Sequence, residues 1–352
     1  MATLAFVTDC PPDSQSAVHR VSYVVEELAK QGHLTKSFFG KRGGIAGHVY
    51  SRMTLGAAVK CLSAIPQADV LVVHRAGDPI TALLIKVQKR LGGMLVFDID
   101  DAVYLRWNIL TMSIPQIVKA SDFVVVGSHE IANYCRQWNK NVHIIPSGVD
   151  TNLFHPSSRV RSKHKPVVGW LGDGRVHGRN LEVLVEPLLA LADRCDFKFK
   201  MVSALGSSYI RGAFSKLAAR IEIDFGLRRW VDISLIPEMV SDFDVSVMPL
   251  IDDDFNRAKG GQKLLESMSM EIPVVASAVG ENKYIVSHGS DGLLVSSADE
   301  WEAALASLLN DPERRHTFGK AGRRKILERY SKDVCASHFA RILEATRTRT
   351  TT

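Results

Sequence analysis

"NRAKGGQKLLESMSMEIPVVAS", Asn256 to Ser277, reads as a glycine-rich loop, a helix and a strand in direct succession. Leu264, Leu265 and Met268 recur at helical spacing, Pro273 interrupts, and the β-branched pair in "VVAS" marks a strand. Gly260 and Gly261 therefore stand at a helix start. There the first turn offers backbone N–H groups at the positive end of the dipole, and no side chain blocks an incoming anion. Lys259, Lys263 and Glu266 are spaced four and three apart, so they share one face. On this stretch alone, a solvated Lys263–Glu266 pair contributing about 0.2–0.5 kcal/mol accounts for the residues as well as a ligand does.

The same alternation of strand and amphipathic helix runs outward in both directions. Before the linker the apolar runs are "LAFVTD", "LTKSFF", "DVLVVHR", "MLVFDID", "DFVVVGS" and "VHIIPS", with helical stretches such as Ala17–Lys30, Thr81–Leu91 and His129–Trp138 between them. After it come "VVGWLG", "FKFKMVS", "ARIEIDF", "DVSVMPL", "PVVAS" and "DGLLVS", and from Ala298 onward the chain reads as helical, one helix starting at Asp311-Pro312. This is the pattern of parallel sheets covered by helices, an α/β class, in two domains. Residues 1–158 form the first expected domain and 167–330 the second, with the basic, proline-closed segment 159–166 as linker. Whether 331–352 packs back on the first domain is left open. In open parallel sheets the ligand crevice lies at the carboxyl ends of the strands.

The 352 residues are too many for one ordinary core. With 46% hydrophobic and 23% charged residues the chain reads as globular rather than disordered. No apolar run approaches the roughly 18 residues that span a bilayer. The opening "MATLAFVTD" lacks a cationic n-region and reads as a first strand in a cytoplasmic protein. Five scattered cysteines, none spaced CxxC, argue against a disulfide framework or a zinc site. The net charge of +6 favours an anionic partner. Nucleic acid is not expected, because the basic residues are dispersed and no binding module is recognisable. The basic stretch "IKVQKRLGG" (Ile85–Gly93) is too short to establish membrane contact and fits a solvated helix face, so a peripheral position at the inner face of a membrane is left open.

A second glycine-rich turn, "GWLGDGRVHGRN" (Gly169–Asn180), spaces Gly172, Gly174 and Gly178 as GxGxxxG, a loose relative of the dinucleotide fingerprint whose glycines let a pyrophosphate approach the backbone. Arg175 and Arg179 suit phosphate oxygens, and a surface turn with solvated arginines is the plain alternative. "VFDIDDAVY" puts Asp98, Asp100 and Asp101 at a strand end. Asp98-Ile99-Asp100 has a metal-binding DxD spacing, but the two-domain pattern favours Asp98 as a catalytic or acceptor-binding carboxylate with Asp101 capping the next helix, and a purely capping role for all three is the plain alternative. "IDDDF" (Ile251–Phe255) reads as a solvated loop.

Taken in order, "SDFVVVGSHEIANYC", "NVHIIPSGVDTNLFHP", "SDFDVSVMPL", "KLLESMSMEIPVVASAVGENKYIVSHGSDGLLV" and "DPERRHTFGKAGRRKILERYS" resemble a family-4 glycosyltransferase over nearly the whole chain. The resemblance implies the GT-B fold, two Rossmann-like parallel-sheet domains facing a central cleft. It also implies sugar transfer from a nucleotide-diphosphate donor to an acceptor (saccharide, lipid-linked or small molecule), with retention and with no required metal or other cofactor. Carried over, Glu266 would hold the donor ribose. Gly260, Gly261, Gln262 and Lys263 would receive the diphosphate, with Gly172, Gly174 and Arg175 or Arg179 opposite, and Lys259 could stand in as a donor-sugar contact. Trp230 would lie near the base, though an indole there is equally core. Arg175, Lys263 and Asp98 would be the catalytic groups.

The family's usual first glutamate falls at Ala258, which opens the identity of the sugar. "DCPPDSQSAVHRV" lacks the usual glycine pair, leaving Ser16, His19, Arg20 and Asp100 as acceptor-side candidates. A nucleotide-sugar epimerase of the same fold, a nicotinamide-dependent oxidoreductase and an inactive donor-binding subunit are the alternatives. The oxidoreductase expects an acidic residue closing the second strand, whereas Asp193 and Asp196 precede it.

Overall fold

The computed structural model describes residues 1–45, 48–52, 54–105, 111–158, 165–204, 207–226 and 233–350. The chain divides into two compact units. Unit 1 comprises Met1–Gly148, Ala258–Gly260 and Ser331–Thr352; unit 2 comprises Val149–Arg257 and Gly261–Tyr330. Residues 159–164 of the expected linker lie outside the described residues.

Among its described residues unit 1 holds eight strands: β1 (Thr3–Thr8), β2 (Leu34–Phe39), β3 (Lys41–Ile45), β4 (His48–Arg52), β5 (Val70–His74), β6 (Met94–Ile99), β7 (Phe123–Val126) and β8 (Val142–Ile144). Six form a parallel sheet in the order β2-β1-β5-β6-β7-β8, and β3 and β4 form a separate antiparallel hairpin. The hairpin was not expected, because the glycines of "KRGGI" weaken its strand signal. β5, β6 and β7 are buried along their whole length, which continuous apolar runs achieve only when helices cover both faces of the sheet.

The long terminal helix, Lys332–Thr350, packs Cys335, Phe339 and Leu343 into the cluster formed by Leu4, Phe6, Val72, Val96 and Phe123. Its start presses on Gly148, where a Cβ would come within 2.6 Å of the Lys332 Cα. The single helix expected over Ala17–Lys30 is broken. Gln15–Ala17 leads into a π turn, Val18–Ser22, before Tyr23–Lys30 continues as α-helix. The wide turn brings the consecutive His19, Arg20 and Val21 to the buried side.

Unit 2 carries β9 (Val167–Leu171), β10 (Lys198–Val202), β11 (Ile223–Asp224), β12 (Val245–Met248), β13 (Val274–Ser277) and β14 (Gly292–Val295), all parallel, in the order β11-β10-β9-β12-β13-β14. In local numbering this is 3-2-1-4-5-6, the dinucleotide-binding order. Two apolar clusters sandwich the sheet, one around Trp170, Phe199, Phe214 and Trp301, the other around Phe154, Phe243, Leu265 and Met268. Asp311 accepts the Arg314 N–H and Pro312 opens the Pro312–Arg329 helix, as the Asp-Pro pair predicts.

Candidate functional site

In unit 2 the strand order reverses between β9 and β12, and in open parallel sheets ligands gather outside the carboxyl ends at such a reversal. Both glycine-rich segments belong to this pair of strands. The Gly174–Glu182 helix follows β9, and the Gln262–Ser269 helix follows β12. Gly261 caps the latter with left-handed backbone (φ +66°), where a Cβ would also meet Ile285 Cδ1 at 2.3 Å. In the first turn, Gln262 Nε2 lies 3.4 Å from Glu266 Oε1, and Lys263 Nζ 3.2 Å from Oε2. The Glu266 side chain is 1% exposed and that of Lys263 18%, so this is an enclosed pair and not the solvated one that the bare spacing allowed.

Two residues that the sequence pattern did not single out fasten the Gly174–Glu182 helix to the segment that follows β12. The Asn180 and Asn256 amides exchange hydrogen bonds of 3.1 Å, Asn180 Oδ1 also accepts the Ile251 N–H at 3.0 Å, and both side chains are buried. Asn256 Nδ2 further donates to Asp253 Oδ2 at 3.0 Å, which gives one carboxylate of the supposedly solvated "IDDDF" run an anchoring role. Their signal was positional: Asn180 ends one glycine-rich run and Asn256 begins the other.

Gly172 and Gly174 do not form the bare cradle that was expected. A Cβ on Gly172 would fall 2.2 Å from the Trp170 ring, and one on Gly174 2.6 Å from the Ala204 carbonyl. Their N–H groups donate to the carbonyls of Val202 and Ser203 at 3.3 and 3.2 Å. They are glycine so that the turn can lie against the end of β10. Arg179 is exposed on the helix that follows. The side chain of Arg175, and all of Trp230, lie outside the described residues.

Unit 1 gathers its polar groups at the carboxyl ends of β1, β5 and β6, again where the strand order reverses. The Thr8 hydroxyl lies 2.9 Å from His74 Nδ1 and accepts the Cys10 N–H at 3.1 Å. With that hydroxyl donating to Nδ1, His74 carries its proton on Nε2, facing Asp100 Oδ1 at 3.3 Å. Ser16 Oγ donates to Asp100 Oδ2 at 2.6 Å, and Arg75 Nη1 donates to Ser16 Oγ at 3.0 Å. Burial alone would raise the Asp100 carboxyl, but the Arg75 guanidinium and His74 hold it well below the usual carboxylate range. Arg75 has φ +61°, a costly backbone for a long side chain and of a kind that clusters at functional sites.

Asp98 requires a correction. It does not face an opening: it is 2% exposed and accepts from Arg20 Nε and Nη2 at 2.9 and 2.7 Å. Burial pushes its carboxyl up against the pull of Arg20. Arg20 Nη1 also donates to the Ile145 carbonyl at 2.5 Å, and His19 Nδ1 sits 2.7 Å from the Gly148 carbonyl, so both of these acceptor-side candidates are interior ties. Asp101 does not cap a helix either; its Oδ1 takes the N–H of the adjacent Ala102 at 3.0 Å, and Oδ2 lies 3.7 Å from Arg75. Of the expected set, Ser16 and Asp100 stay partly open. His74 and Arg75, not singled out from the sequence, close the strand "DVLVVHR" with two polar residues, and that was their signal.

The tripeptide Ala258–Gly260 belongs to unit 1. Ala258 is fully buried, and its carbonyl accepts from Ser128 Oγ at 2.8 Å. Lys259 beside it is half-buried. Cys10, Cys61, Cys135 and Cys335 are buried thiols outside any disulfide, each pushed up to about 12 by burial, and so are not nucleophiles at neutral pH.

Residues 165–311 match the family described as Glycosyl transferases group 1. The chain is 26% identical over 255 residues to a D-inositol 3-phosphate glycosyltransferase of Thermobispora bispora, covering 64% of this chain and 56% of that protein. It is 28% identical over 216 residues to an alpha-maltose-1-phosphate synthase of Mycolicibacterium smegmatis, covering 54% and 53%. It thus spans little more than half the length of these curated relatives. Among solved structures, a sucrose-phosphate synthase from Thermosynechococcus elongatus superposes with a TM-score of 0.72 at 18% identity, over 99% of this chain and 100% of that one. HepE of Anabaena, solved in complex with UDP-glucose, gives 0.69 at 15% over 98% and 100%. At these identities the structural likeness speaks for the fold. Residues 165–311 are a glycosyl transferases group 1 domain, carried in a chain whose two six-stranded parallel sheets have the Rossmann-like frame of GT-B.

Proposed function

We propose that the chain transfers a sugar from a nucleotide-diphosphate donor to an acceptor hydroxyl, with retention at the anomeric carbon and without a divalent metal. The observation that carries this is the enclosed Gln262–Lys263–Glu266 constellation at a helix start beside the sheet reversal of the matched domain. Glu266, a carboxylate with about four lone-pair sites, is suited to accept from ribose hydroxyls. Lys263 and the helix start face the charge that grows on the leaving diphosphate, an electrostatic role set in place before the reaction.

In unit 1, Asp100, kept ionised by Arg75, accepts from the incoming hydroxyl and orients it, with Ser16 and Arg75 alongside. A carboxylate held so far toward ionisation is a weak base. The new bond therefore forms between the acceptor oxygen and the anomeric carbon as the bond to the diphosphate breaks, and the departing diphosphate takes the proton. The domain match favours this reading over the epimerase and the nicotinamide enzyme.

The test is incubation with a panel of nucleotide sugars, scoring released nucleotide and bound ligand by mass. Binding of one nucleotide sugar, with release that rises when a hydroxylic acceptor is added, supports transfer. Binding of NAD(P) in place of any nucleotide sugar would refute it.

A further inference from the structure

Basic residues occur along the whole chain, and one stretch of the first unit carries them with few carboxylates. Residues 31–93 contain five lysines and four arginines against two aspartates and no glutamate, a net +7 where the whole chain carries +6. Within this stretch the Leu55–Ala64 helix turns Ala58, Cys61 and Ala64 inward. Leu55 and Val59, one turn apart, stand 72% and 57% exposed. The Pro79–Arg90 helix packs against it and adds Leu83, 52% exposed. Lys86 and Arg90, three and seven residues on from Leu83, are exposed on that same outward face, and Lys60 is exposed beside Val59.

A single exposed leucine is ordinary. Three exposed large aliphatic side chains and three exposed cations on two packed helices are a different surface. Neither helix contains an acidic residue, and neither contains an aromatic one. Bases would need an aromatic platform to stack on, which this face does not offer. The headgroup region of a bilayer supplies what it does fit: a shallow apolar boundary for the aliphatics and anionic phosphates for the cations. Among the described residues no helix is long and apolar enough to cross a membrane, so the contact is one of lying on the surface.

We propose that the outer face of the Leu55–Ala64 and Pro79–Arg90 helices docks reversibly on an anionic phospholipid surface. This stands apart from the transferase reading, since none of these residues is assigned to donor or acceptor.

Flotation of the full chain with vesicles of phosphatidylcholine, with and without phosphatidylglycerol, tests it. Binding is expected only with phosphatidylglycerol and should fall as salt is raised. The Lys60→Glu/Lys86→Glu variant should lose about fivefold or more per lysine. The Leu55→Gln/Val59→Gln/Leu83→Gln variant should lose roughly tenfold or more. Melting temperature and nucleotide-sugar affinity, measured on the same samples, are expected to stay unchanged; if the glutamine variant melts early, the lysine variant decides. No flotation with either vesicle, undiminished flotation of the folded variants, or retention on single-stranded RNA without flotation would overturn the proposal.

Discussion

Glu266 and Asp254 lie twelve positions apart, both carboxylates in unit 2, and burial separates their roles. Glu266 is enclosed with Lys263 and Gln262, whereas Asp254 is exposed and pairs with the half-exposed Arg257 at 3.3 Å. Glu266→Ala should weaken nucleotide-diphosphate binding at least tenfold by calorimetry, about 1.4 kcal/mol, and Asp254→Ala should leave it unchanged; equal affinities in wild type and Glu266→Ala would remove the ribose assignment. In unit 1 the aspartates divide the same way. Asp98→Ala leaves Arg20 buried without its counter-ion and should cost about 3–5 kcal/mol in urea unfolding. Asp100→Asn should instead lower turnover at least about tenfold, since positioned acid–base and orienting groups contribute roughly 10²–10⁴. Asp100 also predicts a pH effect. Its folded pKa is depressed below the unfolded carboxylate value near about 3.9, so the stability it contributes is complete above that pH and is lost as pH falls toward the folded value. Asp100→Asn should therefore lose less stability than wild type between pH 5 and pH 3, followed by urea midpoints; parallel losses would contradict the assignment.

Among the elements, the helix after β9 is tied by an asparagine pair to the segment that follows β12. Gly172 and Gly174 serve the packing of a turn, while Asn180 and Asn256 make this tie through paired amides in a buried setting. Asn180→Leu strands the Ile251 N–H and the Asn256 Oδ1, a loss of about 1–3 kcal/mol per buried group, while Asn256 Nδ2 keeps Asp253. The expected result is a lower denaturation midpoint together with weaker nucleotide-sugar binding, read by thermal shift with and without ligand; lowered stability with undiminished affinity would limit the pair to a structural role. The π turn at Val18–Ser22 was invisible in the sequence because its residues keep an ordinary helical pattern. Only the buried demands of Arg20 on Asp98 and of His19 on Gly148 make the wider turn worthwhile.

For the molecule as a whole, transfer that relies on Lys263 and a helix start to hold the diphosphate should persist in chelator. Assays in excess EDTA should retain activity, and activity that vanished and returned with manganese or magnesium would overturn the metal-free reading. The α/β class and the strand sequence of both sheets were legible in the chain itself, because parallel strands covered on both faces need unbroken apolar runs such as "VLVVH" and "FVVV", too short for a buried helix and too apolar for a half-solvated strand. The Gln262–Ser269 helix start was legible too, since Gly261 is one of the few residues able to take a left-handed cap. Which aspartate stays open was not: Asp98, Asp100 and Asp101 are chemically alike and close together in the chain. Burial and the reach of Arg20, Arg75 and Ser16 from distant parts of the chain separate them, and those distances exist only once β1, β5 and β6 lie side by side.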